Sequence, residues 1–345
     1  DKTPPAAPVI GAVSDNVGAT QGNLTTGGTT DDTALAVSGS GVAAGATVQI
    51  LNGATVVGTA TGASDGTWST TTSALSGTVS LTADAGHVIL AAGSRLRADG
   101  VTERFDGVVR YGDAGRVLLT SRGGDVRINE GASIDVSSPE GGTAGRVSVQ
   151  ASAGALVMAG NPSLSGRGVS SRVGGAFDAD VGTLDSFAVL AERLGAGGFD
   201  RRFDLRIRSS SLDTGGSGAL RADRIVIATD SASLRIDSVL DASGLQGGAI
   251  ELWGGQGVTL GTASRVLAAG SNGEGGSVIV SAGAGRLATE AGAVLDVRGT
   301  RGGEILLRAA RTGGATDVAI DPLLLAVRGA RETVVEGVQV YAGVT

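Results

Sequence analysis

The residues able to do chemistry are few. His87 is the only histidine and no cysteine occurs, which removes two-histidine metal sites, histidine-pair catalysis, thiolate nucleophiles and disulfides. No phosphate-binding loop with a GK[ST] ending is present. His87 stands beside Val88, Ile89 and Leu90 at a turn into a strand and reads as solvent-facing. The remaining candidates are carboxylates and arginines. Asp135, Asp241 and Asp296 occupy equivalent outward places in a repeated pattern, as the acid and base of a glycan-cleaving enzyme would. Leu267 takes that place between Asp241 and Asp296, so the two would lie two rungs of a sheet apart, about 9–10 Å. That is too far for a retaining pair and at the edge for an inverting one, so an outward polar stripe is the better reading. Arg206, Arg208 and Arg235 alternate with apolar residues; they are candidates to bind acidic glycans or simply a solvated face whose stems cover apolar surface.

What must position these groups is a repeat. GGAIELW, GGSVIVS and GGEILLR recur from Gly248 to Leu307, with Ile250, Val278 and Ile305 spaced by 28 and 27 residues. Each interval holds two further short apolar runs between glycine turns; in the unit starting at Gly276 the three runs are SVIVSA, RLATE and VLDVRG. Their alternation is that of strands with one buried face. Three such strands cannot bury a core alone but stacked coils can, which predicts a parallel β-solenoid. Val278, Val280, Leu287, Val294 and Val297 are expected to point inward. Gly275, Gly276, Gly302 and Gly303 are expected at corners, where positive φ and little bulk are needed. A doubly wound α/β sheet would need helical crossovers of a dozen or so residues, and the joints are too short.

Composition agrees with a thin, repetitive core. The chain has 345 residues, 41% hydrophobic content, 3% aromatic content and 60 glycines. Its net charge of −7, without a basic run, lacks the electrostatic footprint of a nucleic-acid binder. No stretch has the roughly 18 consecutive apolar residues of a membrane span. The opening Asp1-Lys2-Thr3-Pro4-Pro5 has neither an initiator Met nor a signal-peptide pattern, and reads as the interior of something longer.

Residues 1–78 form a first domain by composition: Asp1, Asp15, Asp31, Asp32 and Asp65 stand against the single base Lys2. The short runs TALAVSG, ATVQIL, TVVGTATG and TWSTT, separated by turn signals, have the spacing of a small antiparallel sandwich. The order PAAPVIGAVSDNVGATQGNLTTGGTTDDT, SGSGVAAGATVQIL, GTATGASDGTWS resembles the bacterial Ig-like repeats of very large surface adhesins. That resemblance implies an extender domain with Ca²⁺ near its junctions, making Asp15, Asp31 and Asp32 candidate oxygen ligands. The other reading is a solvated turn, because Asp favours turns without any metal. No other cofactor is expected. Asn23-Leu24-Thr25 matches a glycosylation sequon by spacing alone.

Residues 79–345 carry the solenoid, legible again at Gly115–Val136 and restarting at Gly145. GGDVRINEGASIDVSS, DSVLDASGLQGGAIELWGG and EAGAVLDVRGTRGGEILL resemble filamentous-haemagglutinin-like exoproteins, the substrates of two-partner secretion. The resemblance implies a right-handed parallel β-helix, an outer-membrane secretion partner and an adhesive role at the outer surface of a Gram-negative bacterium or outside it. The receptor, on host cells, other bacteria or glycans, is not specified. The family's N-terminal secretion motif is missing: Gly160-Asn161-Pro162-Ser163-Leu164 lacks the second Asn and lies mid-chain. The calcium-binding β-roll repeat is missing too, since Leu220 follows Gly215–Ala219 where that motif needs Asp.

Residues 167–203 interrupt the repeat. Leu184, Phe187, Leu190, Ala191 and Leu194 fall at helical spacing, with Thr183 as N-cap and Gly195 beyond the end, predicting a short helix over 183–194 within an insertion. The expected whole is all-β: an N-terminal Ig-like sandwich, then a right-handed parallel β-helix of about seven to nine coils with one helical insertion. Two functions follow, a non-catalytic adhesin stalk or a polysaccharide lyase or glycoside hydrolase on the same scaffold.

Overall fold

The computed structural model describes residues 8–16, 21–25, 34–52, 55–72, 77–100, 102–105, 108–138, 141–169, 173–312 and 317–339. It is nearly all β, with one helix among the described residues, and contains a parallel β-solenoid of about eight turns. The chain divides into two compact units, Asp1–Gly77 with Glu103–Asp113, and Thr78–Thr102 with Ala114–Thr345.

In the first unit a four-stranded antiparallel sheet runs in the order Gly22–Asn23, Val9–Asp15, Ala36–Ser40, Trp68–Thr71. The strands Thr47–Asn52 and Thr55–Thr61 pair as a hairpin. Alternation along these strands sends Val37, Val48, Ala60 and Trp68 into one small core.

The second unit is the solenoid. Its first face is a continuous parallel ladder from Thr78–Ala83 through Arg116–Ser121 and onward to Gly303–Thr312 and Ala330–Val338. Rungs align like with like: Val117, Val147, Phe177, Phe203, Ile225, Ile250, Val278 and Ile305 form one inward column. Each of these side chains is at most 1% exposed. Burying a Val, Leu, Ile or Phe contributes about 1.5–3 kcal/mol, so each added coil lengthens a core that no coil could form alone.

Of the residues expected inward, Val278, Val280, Leu287 and Val297 are fully buried. The third face differs in phase. Leu295, in register with Val266 and Leu240, fills the interior, while Val294 aligns with Arg265 on the outward row and is covered there. A three-residue strand carries too little alternation to fix which neighbour turns inward.

Glycine also works differently from the expectation at most corners. Gly302 has φ +68°, the left-handed conformation predicted for a turn. Gly276 does not; a Cβ there would sit 2.0 Å from the carbonyl oxygen of Gly248 in the rung below. Gly275 and Gly303 are likewise closed to a side chain by backbone within 2.2 Å. Small residues are required there so that corners of adjacent rungs can touch.

The helix spans Phe187–Gly197, starting later than the 183–194 expected from spacing. Thr183 and Leu184 instead end the strand Ala176–Leu184, whose first residues pair with both neighbouring first-face rungs. The N-cap is Ser186, whose hydroxyl accepts from the Val189 N–H, and Gly198 closes the helix at φ +78°. The helix therefore takes the third-face place of its coil, while Thr183 and Leu184 keep a short second-face pairing with Ala155 and Leu156. It packs between the third-face strands Ser163–Ser165 and Leu220–Arg221 and buries Phe187, Leu190 and Leu194. Phe187 meets Phe203 edge to face at 6.3 Å between centroids, and Phe177 stacks on Phe203 at 6.0 Å. No described helix is long and apolar enough to cross a membrane.

Candidate functional site

Most outward charges of the solenoid are engaged with one another. On the first face an arginine on one rung meets a carboxylate on the same or a neighbouring rung: Arg146 with Asp178, Arg202 with Asp204, Arg224 with Glu251 and Arg308 with Glu336. Outward side chains of a parallel ladder stand one rung, about 4.8 Å, apart, so such pairs form across the ladder as cross-strand pairs do.

The arginines proposed for acidic glycans belong to this network. Arg206 makes a two-point contact with Asp230 at 2.9 Å, and Arg208 does the same with Asp180 at 2.6 and 2.7 Å. Arg235 binds Glu290 at 2.6 Å and Asp237 at 3.2 Å. These carboxylates hold all three guanidinium groups more firmly charged than usual.

The three repeated aspartates have a shared local task. Asp135 accepts from the N–H and hydroxyl of Ser137, and Asp241 from the N–H of Ser243. Asp296 accepts from the Arg298 N–H and, through both oxygens, from its guanidinium at 2.7–3.0 Å. Each ties the turn that follows its strand, the Asx geometry that favours Asp at corners. Asp296 is only 3% exposed under Arg298, so it is not available at the surface. Burial alone would raise its pKa, but the Arg298 hydrogen bonds outweigh it and hold it below the usual carboxylate value. Asp241 and Asp296 flank Leu267 in register, the arrangement expected from the repeat.

Asp241 does line a groove. About 680 Å³ lies beside the helix C-terminus, walled by Gly198, Phe199, Asp200, Arg221, Asp223, Asp241 and Ser243. It arises because the corner between third and first faces is cut short in two coils, at Asp200 and at Ala222-Asp223, whereas neighbouring coils carry loops such as 268–276. The Asp200 carboxylate accepts from Gly174 N–H at 3.0 Å, and Arg221 stands 3.4 Å from Asp241. Asp200, Asp223 and Arg221 escaped the reading of the sequence, because a missing loop leaves no motif.

His87 is half-exposed and accepts from the Asp125 N–H through Nδ1 at 2.9 Å, a structural bond between two rungs. One motif also escaped that reading: Gly62-Ala63-Ser64-Asp65-Gly66 has the spacing of a nucleophile elbow. It forms the turn between Thr55–Thr61 and Trp68–Thr71, with Asp65 accepting from Thr67, instead of the strand-to-helix turn such an elbow needs.

For Ca²⁺, Asp15 ends the strand Val9–Asp15 opposite Gly22 and is 3% exposed. Asp31 and Asp32 lie outside the described residues. Among the described residues no group of three or more His, Cys, Asp or Glu converges to hold a metal ion. Asn23 accepts from the Ser14 hydroxyl at 2.6 Å, a contact within the sheet.

Against known proteins, the chain matches no protein-family model, no curated protein and no solved structure.

Proposed function

We propose that this chain is a stalk segment of a bacterial surface-exposed or secreted adhesin, without catalytic activity of its own. The observation that carries the reading is the use made of the outward charges. Arg206, Arg208, Arg235 and Arg298 each close on a carboxylate of their own or a nearby rung, so the surface is organised to hold the rod together. The first unit, with its antiparallel sheet and hairpin, is an Ig-like extender with Asp15 as a candidate cation ligand, and the solenoid is right-handed. Export through an outer-membrane secretion partner, display on a Gram-negative surface and attachment to a cell or glycan receptor follow from the family resemblance.

A second reading, a polysaccharide lyase or hydrolase, draws support from the groove that brings Asp200, Asp223 and Asp241 beside Arg221. A stalk binds through many shallow contacts, so attachment should depend on valency. Beads carrying many copies of the chain are expected to retain on bacterial or epithelial cells where the single chain washes off. Equal retention of the two forms, or of neither, counts against the adhesin reading.

A further inference from the structure

We propose that the first face of the solenoid binds a neutral saccharide over Ala228, between Trp253 and the Arg206–Asp230 ion pair. The parallel register places Arg206, Ala228, Trp253, Ser281, Arg308 and Glu336 on successive rungs of one outward row. Trp253 is half-buried, the large aromatic member of a row whose adjoining side chains are a methyl and a hydroxymethyl group. Beyond it the strand turns through Gly255, stacked on Gly283 of the next rung, where backbone leaves no room for a side chain.

The two sides of the indole differ. Arg308 comes back past Ser281 until its Cζ stands 6.0 Å from the indole centroid, and Ser281 is left only 7% exposed. Ala228 on the other side keeps accessible surface, so the space above it stays open. Arg206 and Trp253 stand two rungs apart, about 9–10 Å, with only the Ala228 methyl between them. One sugar ring fits such a gap. The Trp253 indole N–H donates to no group among the described residues and is not closed off from solvent.

The walls select the ligand class. Arg206 commits Nε and Nη2 to Asp230, which leaves Nη1 to donate, and the Asp230 carboxylate, 32% exposed, can accept. The charges are already matched, Arg206 by Asp230 and Arg308 by Glu336, so neither an anion nor an amine finds a free opposite charge. Val226, on the outward side two residues before Ala228, extends the apolar floor. A ligand with an apolar face for the indole and the methyl, and edge hydroxyls that both donate and accept, is an uncharged pyranose. The site deepens the adhesin reading, and it rests on that reading for a glycan receptor.

The test uses the full chain with ¹⁵N-labelled indoles. Its two tryptophans give two side-chain N–H resonances, and Trp253→Phe assigns them. The probes are cellotetraose, xylotetraose and N-acetylchitotetraose, with trigalacturonate, the glucosamine tetramer and tetraproline as comparisons. At least one neutral oligosaccharide is expected to shift the Trp253 resonance saturably, and by more than any comparison, while the Trp68 resonance stays in place. Ala228→Leu fills the gap and should remove that shift; should this variant melt early, the ranking of probes on the parent chain decides alone. No shift from any neutral oligosaccharide, a larger shift from a comparison, or a shift that survives Ala228→Leu in a variant that melts like the parent overturns the proposal. Bead retention is read on cells without these probes, so the site and the adhesin reading fail separately.

Discussion

Arg235 reaches across a whole rung of the solenoid to Glu290, with Nη1 and Oε1 2.6 Å apart, and it can do so only because Gly261 stands between them. A Cβ on Gly261 would come within 2.7 Å of the Arg235 guanidinium and 2.4 Å of Asp237. Glu290 also accepts from the Thr262 N–H and Asp237 from the Ala263 N–H, so one arginine fastens three successive coils.

Gly261→Ala should therefore destabilise the fold through this contact and little else. Its loss in thermal midpoint should shrink markedly in a Glu290→Gln background, because interacting sites are not additive. Equal losses in the two backgrounds would mean that the methyl strains the backbone and leaves the ion pair alone.

Neighbours on one strand separate interior from exterior. Leu307 continues an inward column and is 1% exposed, while Leu306 lies on the outer row, half-buried. Denaturant melts should show a loss of about 2–5 kcal/mol for Leu307→Ala and less than half of that for Leu306→Ala. Val280→Asp should be worse than either, since it places an unpaired charge in the apolar stack.

The helix rests on its caps as well as its apolar face. Ser186→Ala is expected to cost about 1 kcal/mol. Gly198→Ala adds strain, because the position has φ +78° and a Cβ there would approach Arg167 to 2.8 Å. Hydrogen exchange should show faster opening of Phe187–Gly197 in both variants, with the late rungs unchanged. Uniform loosening of the late rungs would contradict a local role.

Acid should loosen the solenoid. Asp99 is held below its ordinary value of 3.8 by Arg97, and Asp125 by the Ala155 N–H and then Arg127. Arg235 lowers Glu290 from 4.5, and Arg298 lowers Asp296 against its burial. A depressed folded pKa adds stability above the unfolded value that disappears as pH falls through the folded one. Thermal midpoints should thus hold steady above about pH 5 and fall below about pH 4. Asp296→Asn should start lower and flatten that fall, and an unchanged acid limb would show that these pairs contribute nothing.

The sequence made the solenoid legible because inward residues repeat at fixed places: Ile250, Val278 and Ile305 are spaced like the rungs they stack on. The helix start was misplaced because Leu184 suits an amphipathic helix and the end of an alternating strand equally well, and pairing with Leu156 decided for the strand. The outward place of Asp296 was readable but its burial was not, since that depends on where Arg298 folds back. The groove at Asp200 and Asp223 comes from corner loops being short, an absence that no local pattern announces.

Polysaccharide turnover tests the central claim, a rod without catalysis, most directly. The purified chain, incubated with uronic-acid and neutral polysaccharides with and without Ca²⁺, is expected to release no unsaturated or reducing ends. Steady release that is abolished by Asp241→Ala or Asp223→Ala, in variants that melt like the parent, would contradict the stalk reading and make the groove beside the helix an active site.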